Sequence, residues 1–187
     1  MSRFDPFPTL ETPRLRLRAL TPEDLDVFAA LQADPQVVRY FGRPPLSRED
    51  CRRRLEDIAT GIREGTSIRW GLALRDSGEL VGSTGFWRWN QGHRWAEVGY
   101  ELAPSQWGKG LMPEALRATF RYGFEHMELH RVEAQLDPAN KASVRVLEKL
   151  GFVQEALLRE NWFHDGRFTN TPIYGLLRHE FEAAAGG

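Results

Sequence analysis

Residues 104–116, Pro104-Ser105-Gln106-Trp107-Gly108-Lys109-Gly110-Leu111-Met112-Pro113-Glu114-Ala115-Leu116, limit the fold more than any other stretch. Two glycines flank one lysine, and Met112, Leu116, Phe120 and Phe124 then recur every fourth residue, the apolar stripe of an amphipathic helix. Ala96–Leu102 before it reads as a strand, so the chain passes from strand to helix through almost bare backbone. The first N–H groups of a helix lack partners within it, and its dipole favours negative charge there, so such an entry suits a phosphate. A tight turn without ligand is the alternative. Two known phosphate loops are excluded by spelling. A Walker loop needs glycine at 103 and Ser or Thr at 110, where Ala103 and Gly110 stand. A dinucleotide fingerprint read from Gly108 needs glycine at 113, where Pro113 stands.

The surrounding pattern predicts one α/β domain, 1–187, with a mixed sheet. Leu15–Leu20 alternates with arginine as a half-buried strand does. Thr21-Pro22-Glu23-Asp24 is a helix start, and Asp34-Pro35 stops that helix. Ser47 with Asp50 forms a capping box for a helix running to about Glu64, before Gly65. Ile68–Arg75 and Leu80–Trp89 read as a hairpin across Asp76-Ser77-Gly78-Glu79. Beyond the 111–125 helix come a strand at Val132–Asp137, a short helix after Asn140 ending at Gly151, and strands at Phe152–Arg159 and Pro172–Leu177 around a polar loop. The order β-α-α-β-β-β-α-β-α-β-β belongs to the α/β class.

Charge narrows the partners. The 22 arginines and 3 lysines are scattered among acids and the formal net charge is −1, so neither nucleic acid nor an anionic membrane is an expected partner. No apolar run approaches the roughly 20 residues of a membrane span. The opening MSRFDPFPTLETPRL lacks a secretory pattern, and a single cysteine, Cys51, excludes an internal disulfide. A cytoplasmic protein is expected. The five histidines form no metal set, since His126-Met127-Glu128-Leu129-His130 misspells H-E-x-x-H, and no metal cofactor is expected.

Trp107-Gly108-Lys109-Gly110-Leu111-Met112 resembles the pyrophosphate loop, Q/R-x-x-G-x-G/A, of the GCN5-related N-acetyltransferases (GNAT). Trp107 replaces the usual Gln or Arg, and Met112 the usual small residue. A second segment, Asp137-Pro138-Ala139-Asn140-Lys141-Ala142-Ser143 through Lys149-Leu150-Gly151-Phe152, is similar to the family's N-x-x-S/A helix ending K-L-G-F. With Glu97-Val98-Gly99-Tyr100 and Thr12-Pro13-Arg14-Leu15-Arg16-Leu17-Arg18, the likeness is greatest to the branch that acetylates ribosomal-protein alanines. It covers residues 10–182.

The resemblance implies a GNAT fold, a mixed central sheet with splayed middle strands flanked by helices. It also implies transfer of acetyl from acetyl-CoA to a primary amine by direct attack in a ternary complex. Cofactor contacts are then expected from backbone at Tyr100, Glu101 and Leu102, from Trp107, Gly108, Lys109, Gly110, Leu111 and Met112, and from Asn140 and Ser143. Asn140 also suits a helix cap. Relatives carry a tyrosine acid where this chain has Leu147, and Ser143 is the implied substitute beside the leaving thiolate.

An amine protonated near neutral pH needs a base. Glu97 and Glu101, four apart on one strand, share a face, and Glu97 fits the branch better; a bulge expected in that strand would shift the facing. Each carboxylate has an alternative as a solvated residue or an arginine's partner. Phe41, Trp87, Trp89, Trp95 and Trp162 are candidate acceptor-site residues, Trp162 with Phe163 in the loop between the last strands, although aromatics more often pack a core. The acceptor is expected to be a protein N-terminal α-amine or a small-molecule amine, and a homodimer is expected by resemblance. A non-catalytic acyl-CoA sensor is the rival reading.

Overall fold

The computed structural model describes residues 2–164 and 166–185. Of the expected unit 1–187, Met1, Asp165, Gly186 and Gly187 lie outside the described residues. The chain runs β1 (Leu10–Glu11), β2 (Leu15–Ala19), α1 (Leu25–Ala33), α2 (Pro35–Val38), α3 (Arg48–Glu64), β3 (Ile68–Leu74), β4 (Leu80–Asn90) and β5 (Trp95–Leu102). It continues through α4 (Leu111–Glu125), β6 (Arg131–Gln135), α5 (Lys141–Lys149), β7 (Val153–His164), β8 (Arg167–Leu177) and α6 (Arg178–Ala185). One eight-stranded sheet takes the order β1-β2-β3-β4-β5-β6-β8-β7.

Every neighbouring pair is antiparallel except β5 with β6. That parallel pair is short. Trp95, Ala96 and Glu97 sit opposite Arg131, Val132 and Glu133, and past Glu97 the two strands part. β5 then stays paired only to β4, Val98 through Leu102 lying opposite Phe86 through Gly82. The gap between β5 and β6 is the expected splay, and α4 and α5 begin beside it.

The stripe on α4 accounts for the main core. Met112, Leu116, Phe120 and Phe124 are all buried, packed with Trp70, Phe86 and Val98 of the sheet. Each such side chain contributes about 1.5–3 kcal/mol by leaving water. On β5, Ala96, Val98 and Leu102 join this core, while Glu97, Gly99 and Glu101 face the other side, where α1 and α3 close on Phe28, Cys51 and Leu55.

The structure corrects four expectations. Asp34-Pro35 ends α1 but also starts α2, because the Asp34 carboxylate accepts a 2.8 Å hydrogen bond from the Gln36 N–H. The bulge lies in β4, between Trp87 and Asn90, and β5 runs in register from Glu97 to Leu102. The last two strands are longer than their apolar runs indicated, so the expected polar loop is ribbon: Trp162 and Phe163 lie on β7, opposite Thr169 and Phe168. Phe163 and Phe168 pack across the pair with ring centroids 4.9 Å apart and tilted by 54°, the kind of aromatic pairing that stabilises an exposed ribbon. Finally, α6 was not foreseen; its Phe181 packs on Phe120 and Phe124.

Candidate active site

Two cavities meet at the splay, and Tyr40 and Phe41, just after α2, line both. The larger, about 920 Å³, runs along β5, the turn before α4 and the start of α5. Tyr100, Glu101, Leu102, Trp107, Gly108, Gly110, Leu111, Met112, Asn140 and Ser143 all line it. Of the expected cofactor residues only Lys109 does not; its ammonium donates to the Gln106 side chain at 3.0 Å.

The helix entry is built for close approach. Gly110 is the N-cap of α4, with φ +77°, a left-handed conformation that a side chain disfavours. Pro113 sits in the first turn, where its missing N–H costs nothing. Glu114, the acid of that turn, points away. It accepts from the Thr12 hydroxyl at 2.7 Å and from the Arg14 N–H and Nε at 2.8 Å. Burial pushes the Glu114 carboxyl up, but those donors outweigh it and hold the group below its ordinary value. The Lys109 carbonyl also accepts from Arg14, at 2.8 Å.

Backbone at the splay is partly spoken for. The Ala103 N–H bonds the Val81 carbonyl, so by alternation Glu101 turns its backbone to β4, and Tyr100 and Leu102 turn theirs to the gap. Trp107, which stands where relatives have Gln or Arg, donates its indole N–H to the Leu102 carbonyl at 2.7 Å. The Tyr100 N–H and carbonyl and the Leu102 N–H therefore face the gap as candidate partners for an extended ligand. Across it, Asn140 caps α5 by accepting the Ser143 N–H at 3.1 Å. Burial pushes the Tyr100 phenol up to about 12, against the opposing pull of Ser143. Leu147, one turn along α5, is fully buried in the core.

The smaller cavity, about 290 Å³, holds Glu97, with Phe41, Trp87 and Trp162 among its walls. Glu97 is only 4% exposed and accepts from Arg88 Nη1 at 3.1 Å. Burial raises its pKa and the Glu133 charge adds to the rise, while Arg88 opposes it. Glu101 is tied more tightly, accepting from both the Arg69 guanidinium and the Ser83 hydroxyl. Arg69 also donates to Ser83 at 2.7 Å, closing a three-member network.

Trp162 lies over Gly42, at φ +63°, so closely that a Cβ there would collide with the indole. The loop after α2 and the β7–β8 ribbon thus roof this cavity together. Trp89 and Trp95 are not in either cavity. The β4 bulge, with Arg88 at φ +48°, breaks the alternation after Trp87 and sends Trp89 to Phe4 and the Arg3 guanidinium on the core side. Trp95 starts β5, between Asn90 and Arg131. Sequence reasoning missed Arg88, Tyr40, Asn161 and Asn170; the register set by the bulge carried Arg88 to Glu97, and no residue pattern announces it.

A parallel pair parted beside a bare helix entry defines an acyl-CoA-dependent transferase architecture. The chain belongs to the GNAT acetyltransferase family: the model described as Acetyltransferase (GNAT) domain matches residues 14–153. It is 36% identical over 173 residues to the uncharacterized N-acetyltransferase YoaA of Bacillus subtilis, covering 92% of this chain and 98% of that protein. The crystal structure of spermidine N-acetyltransferase from Vibrio cholerae, in complex with CoA and spermine, superposes with TM-score 0.81 at 26% identity, over 90% of this chain and 98% of that one. RimL, the ribosomal L7/L12 α-N-protein acetyltransferase in complex with coenzyme A, shares the fold at TM-score 0.82 and 18% identity, over 91% and 98%. The protein is an acetyl-CoA-dependent N-acetyltransferase. Among the described residues, no helix is long and apolar enough to cross a membrane.

Proposed function

We propose that the larger cavity takes acetyl-CoA and the smaller one a protein or peptide N-terminal α-amine, which attacks the thioester directly in a ternary complex. Glu97 carries this reading. It is a nearly buried carboxylate, raised in pKa by that burial, in the smaller cavity beside the wall that Tyr40 and Phe41 share with the larger one. In this role Glu97 takes a proton from the incoming ammonium, and the raised pKa improves the match of base to acid. The N–H groups at Gly110 and the first turn of α4 favour the pyrophosphate, and Tyr100 and Leu102 backbone holds the pantetheine arm. The Ser143 hydroxyl faces the departing thiolate.

An α-amine acceptor is favoured by charge and by lining. Arg88 and Arg167 match Glu97 and Asp137 around the smaller cavity, and the amides of Gln135, Asn161 and Asn170 suit a peptide backbone. A polycation wants carboxylates in excess. The likeness to the Vibrio cholerae enzyme supports a polyamine as the second reading. A thiol-release assay across N-terminal peptides, spermidine and small amines decides between them; turnover with spermidine alone sinks the α-amine assignment. The same reading takes residues 1–187 as one catalytic domain working in the cytoplasm. It also takes the enzyme as a homodimer, because β7 is an edge strand that exposes Val153, Leu157 and Leu158. Sedimentation at the monomer mass would remove the dimer.

A further inference from the structure

Gly99 stands between Glu97 and Glu101 on the same face of β5. A Cβ built on it would lie 3.7 Å from Arg69 Nη1 and 3.9 Å from Trp87 Nε1. Apart from its chain neighbours, no other atom of the described residues would come within 4 Å. Both atoms are nitrogen donors, and no oxygen from elsewhere in the described chain accompanies them. Each is held by its own surroundings. Arg69 commits Nε to Ser83, at 2.7 Å, and Nη2 to Glu101, so its planar fork fixes where Nη1 lies. Trp87 pairs directly opposite Glu97 and reaches Gly99 along the cross-strand diagonal, while its side chain walls the smaller cavity.

We propose that this point is an oxygen subsite: the carbonyl oxygen of the acceptor's first residue sits over Gly99 and accepts from Arg69 Nη1 and Trp87 Nε1, while the α-amine meets Glu97. This rests on the α-amine reading above and adds what selects that amine. Same-face positions two apart on a strand lie about 6.7 Å from each other. An α-amine and its own carbonyl oxygen are three bonds apart, ~3 Å. With a hydrogen bond of about 2.9 Å at each end, one aminoacyl unit bridges the two positions. An alkylamine or a polyamine has no oxygen to offer and leaves both donors unpaired when it displaces water. A side chain at position 99 would stand where the oxygen goes.

The subsite is read from a pair of acceptors that differ only in that oxygen's group, alaninamide and sec-butylamine. Their own pKa difference is the same for every enzyme form and cancels when the ratio of kcat/KM values is compared between forms. Trp87→Phe keeps a ring and removes one N–H, and the ratio of alaninamide to sec-butylamine should fall about tenfold. Gly99→Ala, which fills the point from the backbone side, should lower the same ratio at least as far. Equal losses for both amines, or an unmoved ratio, would overturn the subsite. Free alanine should react more slowly than alaninamide, because Glu101 already answers the Arg69 charge and Glu97 repels a second carboxylate. A preference for free alanine would overturn the peptide carbonyl as occupant. If Gly99→Ala does not fold, Trp87→Phe decides alone, its side chain being half exposed. Wild-type protein that acetylates spermidine but neither alaninamide nor alanyl peptides would instead overturn the α-amine reading itself.

Discussion

Glu97 and Glu101 stand four residues apart on one face of β5, both nearly buried, yet they are different chemical objects. Glu101 is held from two sides by Arg69 and Ser83, themselves bonded to each other. Glu97 has a single arginine, and Arg88 is itself more than half exposed. One carboxylate is fixed in a closed network beside the cofactor cavity. The other is kept dry, under-partnered and open to the acceptor cavity. Burial alone therefore says little about a carboxylate's work; the number and solvent exposure of its partners decide it. A base must be able to take a proton, and a fully engaged carboxylate cannot do so without dismantling its network.

The largest test of that contrast is Glu101→Ala. Removing one partner of a buried pair strands the Arg69 charge, and the expected loss is about 3–5 kcal/mol of folding stability. Urea denaturation should show a lower midpoint at unchanged slope. The pH dependence of residual activity should keep its wild-type shape. If that shape changed and stability did not, the roles of the two glutamates would have to be exchanged.

Next comes Glu97→Gln, where the loss should be catalytic. A positioned base is worth about 10²–10⁴-fold, so kcat/KM near neutral pH should fall at least about 100-fold. An α-amine with pKa ~8 becomes its own free base as pH rises, so the deficit should shrink through that range. A pH-independent deficit would remove Glu97 as base.

In the cofactor cavity the contrast is between neighbours. Gly110→Val places a branched side chain at φ +77°, at the α4 entry, and should weaken CoA binding by more than about tenfold. Lys109→Ala should change CoA affinity less than about twofold, since Lys109 does not line the cavity and its ammonium is engaged by Gln106. Calorimetric titration with CoA measures both, and equal losses would mean that charge, rather than bare backbone, holds the phosphates.

These two cavities also differ in how far they could be read from sequence. The cofactor side is made of contiguous pieces whose local chemistry shows in the letters: a G-x-G at a helix entry and an asparagine three before a serine. The stripe of α4 and the capping box of Ser47 with Asp50 are local in the same sense. Nothing local marks the acceptor side. Trp87 and Trp89 look alike in the sequence, and only a bulge in β4, displaced from the strand where it was expected, sends one to the cavity and the other to Phe4. Arg88 reaches Glu97 for the same reason. Trp162 read as loop because Glu160, Asn161 and Asn170 are polar, although β7 and β8 run through them across a second bulge, where the Asn170 side chain accepts the Glu160 N–H at 2.9 Å. Long-range register is the missing information.

The smallest effect probes Glu97 in the absence of any substrate. Its folded-state pKa is raised, chiefly by burial, so the folded protein holds that proton more tightly than the unfolded chain. Stability from this group is whole below the ordinary carboxylate value near 4.3, declines as pH rises through the raised value, and stays lost above it. Glu97→Gln cannot ionise and escapes the decline. The variant should therefore gain on the wild type across that window and keep the gain at neutral pH. Glu114, depressed in the folded state, contributes in the opposite sense, losing its stabilisation as pH falls, but it is common to both proteins and cancels in the difference. Melting temperatures of the pair between pH 4 and 8 measure it. A slower enzyme that is the more stable fold at neutral pH is what a carboxylate kept for catalysis predicts, and a variant less stable throughout would make Glu97 a structural ion-pair partner like Glu101.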